Sequence, residues 1–290
     1  MLMNLDIVIS KVLGKPTHIY GVYHVGGGAI NQTYKVLTDV GTFFVKVNNI
    51  PNYPKFFEKE LSGLKFLKDT NCVNVVKALG CFHIEQYNYL VLEWIEEGPM
   101  MNNYWEELGK GLAKLHLKTN KYFGFSEDNY FSSLPQINSK TSNWADFYIE
   151  QRLEPLVKRA SDLALIDSQI AKKLVEYYKL VESVFPEEPP ALLHGDLWKG
   201  NVLANEEGKP TLIDPAIYFG HREMDIAMTQ FVGKFPIEFY DAYQTIYPLK
   251  EDWEYRMDFC LIYYQLVHLN LFGNSYLNQL SGNLDRWLGI

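Results

Sequence analysis

The chain has 290 residues, enough for a sizeable core and two lobes. Its 20 Tyr and 17 Phe belong to an aromatic-rich, apolar composition that excludes a disordered chain. The net charge of −8, with basic residues scattered, argues against a nucleic-acid partner or an anionic membrane surface, and no apolar run approaches spanning length.

Residues 1–13 have neither a basic start nor a small-residue cleavage site, and with Asn4, Asp6 and Ser10 they read as a short helix, not a signal peptide. Residues 19–25 and 32–38 alternate as strands do. Between them lies Gly26-Gly27-Gly28-Ala29-Ile30-Asn31. Glycines here let backbone amides approach a phosphate, which makes Gly26, Gly27 and Gly28 candidate nucleotide contacts; a plain hairpin turn accounts for the same residues. A third strand at 42–47 sets Lys46 among apolar residues, where a lysine needs a partner or a ligand. Residues 54–68 have helical periodicity in Phe56, Phe57, Glu60, Leu61, Leu64 and Leu67. An inward Glu60 would pair with Lys46 and hold it toward the α- and β-phosphates, with Glu58 the competing partner.

Two further strands are expected at 75–83 and 89–94. Gly98-Pro99 then breaks the chain and marks a linker between a small lobe, 1–97, and a larger one, 98–290. In such a bilobal architecture the adenine sits against the linker, which places nucleotide contacts at Glu93, Trp94 and Ile95. Beyond it the chain is mostly helical. A helix at 103–118 carries His116 as a core or helix-end histidine, and 119–142 is irregular, a candidate substrate-side loop. Helices are expected at 143–159, 165–184, 222–232, 236–246, 252–272 and 277–288, with Pro186, Pro189 and Pro190 breaking the chain between the second and third. Cys72, Cys81 and Cys260 are few and far apart, without metal spacing, and read as reduced thiols of a cytoplasmic protein.

The chemistry concentrates in His194-Gly195-Asp196-Leu197-Trp198-Lys199-Gly200-Asn201, followed by Ile213-Asp214-Pro215. Strands at 201–204 and 211–213 with a turn at 205–209 form a hairpin that should return Asp214 beside Asn201. One carboxylate at Asp196 can orient a substrate hydroxyl and take its proton. Asn201 and Asp214 can hold Mg²⁺ on the phosphates of ATP, since magnesium prefers hard oxygen ligands and keeps several waters. The same residues could instead be turn formers and a helix cap.

In this order, glycine-rich hairpin, Lys46, Glu60, linker, Asp196 to Asn201, then Asp214, the chain resembles the protein-kinase-like phosphotransferases. The HGDLWxGN form is more particular. So are Ile213-Asp214-Pro215-Ala216 and the run Tyr218-Phe219-Gly220-His221-Arg222-Glu223-Met224-Asp225-Ile226-Ala227-Met228. With Phe44-Val45-Lys46-Val47-Asn48, Phe147 to Leu153 and Leu266 to Gly273, they closely resemble the fructosamine-3-kinase/ketosamine-3-kinase family over nearly the whole chain. The resemblance implies an α+β bilobal fold, with a small antiparallel-sheet lobe carrying one main helix and a larger, mostly helical lobe.

It also implies ATP-dependent phosphorylation of the 3-hydroxyl of ketosamines, free or on glycated protein lysines, whose unstable product loses the sugar. By the same resemblance Asp196 is the proton acceptor, Asn201 and Asp214 bind Mg²⁺, and Trp198 faces the sugar. His268, with Asn270, Asn274 and Tyr276, lines the acceptor pocket or forms a simple helix end. His194, His221, Arg222 and Asp225 read as scaffold, with His194 and Asp225 bonding the catalytic-loop backbone. Many relatives carry a cysteine in the glycine-rich loop, associated with redox-controlled dimerisation. Ala29 stands there in this chain, and a monomer or weak dimer is expected. Two competing readings are an aminoglycoside, macrolide or choline phosphotransferase of the same fold, and a catalytically silent nucleotide-binding module.

Overall fold

The computed structural model describes residues 4–26, 31–49 and 55–289. The chain divides into two compact units, Met1–Tyr104 with Leu203–Pro215, and Trp105–Val202 with Ala216–Ile290. In chain order the first stretch contains α1 (Leu5–Leu13), β1 (Ile19–His24), β2 (Gln32–Thr38), β3 (Gly41–Asn48), α2 (Phe56–Asp69), β4 (Asn74–Val75), β5 (Ala78–Ile84) and β6 (Tyr87–Glu93). Then come α3 (Tyr104–His116), β7 (Asn129–Phe131), β8 (Leu134–Gln136), α4 (Trp144–Tyr148), α5 (Glu154–Asp162), α6 (Ser168–Tyr178) and α7 (Val181–Val184). The last stretch holds β9 (Ala191–Leu193), β10 (Val202–Ala204), β11 (Pro210–Leu212), β12 (Tyr218–Gly220), α8 (Glu223–Phe231), α9 (Ile237–Ile246), α10 (Trp253–Phe272) and α11 (Leu277–Leu288).

The first unit is built on a sheet of order β1-β2-β3-β6-β5, antiparallel throughout. Side chains alternate between its faces. Phe43, Val45 and Val47 of β3 join Val36, Tyr89 and Val91 in a core closed by Leu5, Val8 and Ile9 of α1. Lys46, between Val45 and Val47, therefore points to the opposite face, where α2 lies. Phe57, Leu64 and Leu67 of α2 are buried, and the helical spacing brings Glu60 inward with them. The expected single strand at 75–83 is broken. Val75 pairs in parallel with Leu212 of β11, the Val76 N–H donates to the Leu212 carbonyl, and the chain re-enters the main sheet at Ala78.

The second unit is organised on α10, whose buried residues lie on every side of the helix, as expected of a helix inside a core. It is tied to α8 by Arg256, which donates from Nε and Nη2 to both oxygens of buried Glu223 at 2.8 and 2.7 Å. The helix expected at 143–159 is interrupted by a π-helical turn, Ile149–Leu153. That turn faces Arg152 inward, its guanidinium 4.1 Å from the Tyr218 ring centroid and bonded to the Ile137 carbonyl and Asn138 Oδ1. The helix expected at 165–184 starts later, because Asp167 Oδ1 caps it by accepting from the Gln169 and Ile170 amides. It also splits into α6 and α7.

Residues 119–142, expected to be irregular, contain the β7–β8 hairpin. Their polar side chains bond the backbone beyond Asp214: Asn129 Nδ2 donates to the Ile217 carbonyl and Gln136 Nε2 to the Ala216 carbonyl. Cys72, Cys81 and Cys260 are all free thiols, and no helix among the described residues is long and apolar enough to cross a membrane.

Candidate active site

In the first unit the site is built around Lys46. Its Nζ lies 2.7 Å from Glu60 Oε1 and 2.6 Å from Asp214 Oδ1. Glu60 is the partner and Glu58 is exposed, because β3 faces Lys46 toward the buried stripe of α2 and Glu58 lies off that stripe. Burial alone would lower the Lys46 pKa, but the charges of Asp214 and Glu60 outweigh it and hold the ammonium protonated well above its usual range. Glu60 is pushed up, by burial first and by the neighbouring Asp214 charge, while Lys46 opposes the shift. Asp214 sits at φ +53, a left-handed backbone uncommon outside glycine, and its side chain is 43 % exposed. The strain turns an accessible carboxylate onto the lysine at the end of the hairpin.

Of the glycine-rich loop, Gly26 follows β1 with open space around its Cα, while Gly27 and Gly28 lie outside the described residues. At the linker, Glu93 accepts the Lys77 N–H at 2.6 Å, and Trp94 donates to Glu96 under the Lys35 ammonium. Ile95 lies half-buried past the end of β6.

In the second unit the loop 194–201 leaves β9, which pairs antiparallel with β12. Gly195 has φ +85, and a Cβ there would lie 2.0 Å from the Ala216 carbonyl oxygen, so only glycine fits. Asp225, fully buried on α8, accepts the His194 N–H at 2.7 Å and the Gly195 N–H at 2.9 Å. The Asp196 N–H donates to His194 Nδ1 at 3.3 Å. Asn201 Nδ2 donates to the Asp196 carbonyl at 2.8 Å and to Asp196 Oδ2 at 3.0 Å. This clamp fixes the Asp196 carboxylate and uses the amide nitrogen of Asn201, leaving its Oδ1 as a neutral acceptor. The half-buried Trp198 ring lies over Gly200, where a Cβ would meet it at 2.2 Å.

At the end of α10, His268 Nδ1 donates to the Tyr264 carbonyl at 2.8 Å, so the imidazole, kept neutral by burial that lowers its pKa, presents Nε2 as an acceptor. Phe231 and Tyr276 pack on its ring at 4.7 and 5.0 Å. Asn270 is turned the other way, its Nδ2 bonded to the Leu156 and Leu266 carbonyls. Tyr263, on the same helix, is buried. Its hydroxyl donates to Gln136 at 3.3 Å, and its pKa is pushed up to about 12 by burial, with the Asp196 charge adding. It sits five residues before His268 on the same helix, on a different face, so no local pattern singles it out.

Asp214, in the first unit, carries a carboxylate and Asn201, in the second, an amide oxygen, each by itself a hard donor of the kind magnesium takes.

The fructosamine kinase family model matches residues 1–289. A protein of Enterococcus faecium named a probable ketoamine kinase is 40 % identical over 290 residues, covering 98 % of this chain and 100 % of its own. The chloroplastic protein-ribulosamine 3-kinase of Arabidopsis thaliana is 39 % identical, covering 95 % of this chain and 85 % of its own. Among solved structures, a crystal structure assigned to the fructosamine-3-kinases, from Haemophilus somnus, superposes with a TM-score of 0.90 at 26 % identity, covering 98 % and 96 % of the two chains. A spectinomycin phosphotransferase complexed with ADP superposes at 0.58 and 16 % identity, covering 98 % and 91 %, a likeness of fold.

Proposed function

Since the chain belongs to the fructosamine kinase family, we propose that it transfers a phosphoryl group from ATP to the 3-hydroxyl of a ketosamine, free or attached to a protein lysine, and so begins deglycation. The observation that carries this reading is the clamped Asp196. Its loop is set by Asp225 at two amides and by Asn201 at the carboxylate itself, in a chain matched to the family model from end to end.

In this reading Asp196 orients the sugar hydroxyl and accepts its proton. Phosphoryl transfer has a loose transition state, so positioning and charge neutralisation carry most of the barrier reduction and Asp196 need not be a strong base. Lys46, held protonated, reaches the α- and β-phosphates with Glu60 fixing its direction. Asn201 and Asp214 would hold magnesium through their side-chain oxygens, and the metal would supply neutralisation of phosphate charge. Trp198 offers an aromatic face to the sugar chain, and His268 Nε2 offers an acceptor to a substrate hydroxyl or amine. The nearness in fold of antibiotic phosphotransferases does not favour an antibiotic acceptor, since at 16 % identity it carries no substrate.

The test is ATP consumption with ribulosyl-, erythrulosyl- and fructosyl-amines, with phosphorus NMR of the product. A 3-phosphate on any of them supports the reading. Transfer to an aminoglycoside and to none of these refutes it. Asp196→Asn should lower kcat by about 10²–10⁴-fold with nucleotide affinity retained; full activity in that variant would remove Asp196 from the mechanism.

A further inference from the structure

Asp225 is the hub that shapes the catalytic loop, and a chain of buried polar groups stands behind it. His116 Nε2, on α3, lies 3.2 Å from Asp225 Oδ2. His116 Nδ1 lies 2.8 Å from the Tyr243 hydroxyl on α9. That hydroxyl is 3.3 Å from Arg222 Nη1. Arg222 is gripped by Glu188, Nε to Oε2 and Nη2 to Oε1, both at 2.7 Å, and donates to the Tyr247 and Pro248 carbonyls at 2.7 Å. His116, Asp225, Tyr243 and Arg222 are all buried.

We propose that Tyr243 is a positioning residue for the catalytic loop, its hydroxyl fixing the tautomer of His116 so that His116 in turn holds Asp225 on the amides of His194 and Gly195. The kinetic part of this proposal rests on the phosphotransferase reading above.

The direction of the chain follows from which groups can donate. A carboxylate only accepts, so His116 Nε2 must carry a proton toward Asp225. Burial keeps the imidazole neutral, its pKa lowered although Asp225 opposes the shift. A neutral ring with its proton on Nε2 has a lone pair on Nδ1, and the Tyr243 O–H supplies the bond to it. Burial pushes the Tyr243 pKa up, against the pull of Arg222, so the phenol keeps that proton. An arginine only donates, so Arg222 Nη1 gives to the phenol oxygen. Every group has one role, from Arg222 to Tyr243 to His116 to Asp225 to the two loop amides.

The opposite tautomer would set the Nε2 lone pair against the Asp225 carboxylate. Asp225 Oδ2 is shared between His116 and the His194 amide. Loss of the histidine bond frees that carboxylate to rotate and loosens the turn in which Gly195 precedes Asp196. Phenylalanine keeps the ring of Tyr243 and its edge packing on His116, 5.5 Å between centroids, so Tyr243→Phe removes the hydroxyl alone.

The first measurement needs no variant. Long-range ¹⁵N–¹H NMR of the wild-type chain should show His116 neutral with its proton on Nε2; an imidazolium or an Nδ1–H ring overturns the proposal. In Tyr243→Phe, amide hydrogen exchange at His194 and Gly195 should accelerate by about tenfold while the amides of α11 keep their rates. With the substrate the wild type accepts, kcat should fall by about tenfold and the KM for ATP stay within about twofold. Because a glutamine amide can still donate to Asp225, His116→Gln should retain more kcat than His116→Leu. Unchanged exchange at the two amides, or equal losses in the glutamine and leucine variants, overturns the proposal. If the wild type transfers no phosphoryl group, the functional reading fails, and the tautomer and exchange measurements still decide the chain of hydrogen bonds.

Discussion

Replacing Lys46 with methionine keeps a long unbranched side chain but leaves Glu60 and Asp214 facing a site with no cation. Both carboxylate oxygens lie within 2.7 Å of the Lys46 Nζ. They are therefore within about 5 Å of each other, a separation at which two like charges repel by ~3 kcal/mol at an effective dielectric of about 20. Asp214 is 43 % exposed, so water screens part of its share, whereas Glu60 at 12 % cannot recover its solvation. Removing one partner of a buried ion pair costs about 3–5 kcal/mol, and screening places Lys46→Met near the lower end of that range.

The loss depends on pH. Glu60 is already raised by burial and by Asp214, so the folded chain holds that proton to a higher pH than the unfolded chain. A raised carboxyl pKa favours the native state below its unfolded value, about 4.3, and this contribution is lost as pH rises through the folded value. Without the lysine the shift grows. Urea denaturation of the variant and wild type should then show a deficit of ~3 kcal/mol near pH 8 that shrinks toward about pH 5, as Glu60 becomes neutral. A deficit equal at both pH values, or below about 1 kcal/mol at the higher one, would mean that Lys46 does not neutralise this pair.

Gly200→Ala would drive a methyl into the Trp198 ring, 2.2 Å from its nearest atom, so the ring must swing; acceptor KM should rise by about tenfold with the KM for ATP unchanged, read by steady-state kinetics. Glu188 is held below the usual carboxylate range: burial pushes it up, but the Arg222 hydrogen bonds and the His221 and Arg222 charges outweigh it. Its stabilisation is therefore present above the unfolded value and lost as pH falls through the folded one. Glu188→Gln should cost about 3–5 kcal/mol near neutral pH and flatten the acid limb of the urea stability profile.

Much of the first unit is legible in the sequence because its pairings are local or follow a simple period. Strand alternation around Lys46 and helical spacing around Glu60 together predict the ion pair, which is seen at 2.7 Å. What the alternation of 75–83 could not reveal is that Val75 leaves the main sheet to pair with Leu212. That partner lies far along the chain and competes for the same backbone groups with equal chemistry. The π turn at Ile149–Leu153 is hidden for a related reason. Its residues have ordinary helical character, and the interruption exists to turn Arg152 toward Tyr218 and the 137–138 backbone, neither of which a local pattern encodes.

The reactive groups and their supports differ in the same way. Asp196, Asn201 and Asp214 stand out because a hard-oxygen pair in a loop and a third carboxylate at the end of a strand hairpin match a metal–nucleotide pattern, although turns and helix caps use the same residue types. His116 reads from sequence only as a core or helix-end histidine, and Tyr243 carries no signal, since an aromatic on the apolar face of a helix is an ordinary core residue. Yet these two buried groups complete the hydrogen bonding of Asp225, and Asp225 bonds the amides of His194 and Gly195 that lead into the strained turn. A loop that must keep one carboxylate oriented cannot rely on its own short chain, whose backbone polar groups face a buried region with few partners. It draws its rigidity from Asp225, 31 residues beyond His194, and from His116, which lies on the other side of the loop in sequence, 109 residues before Asp225. Side chains of this kind are conspicuous by their buried polarity once the fold is known, and indistinguishable from ordinary core positions before it.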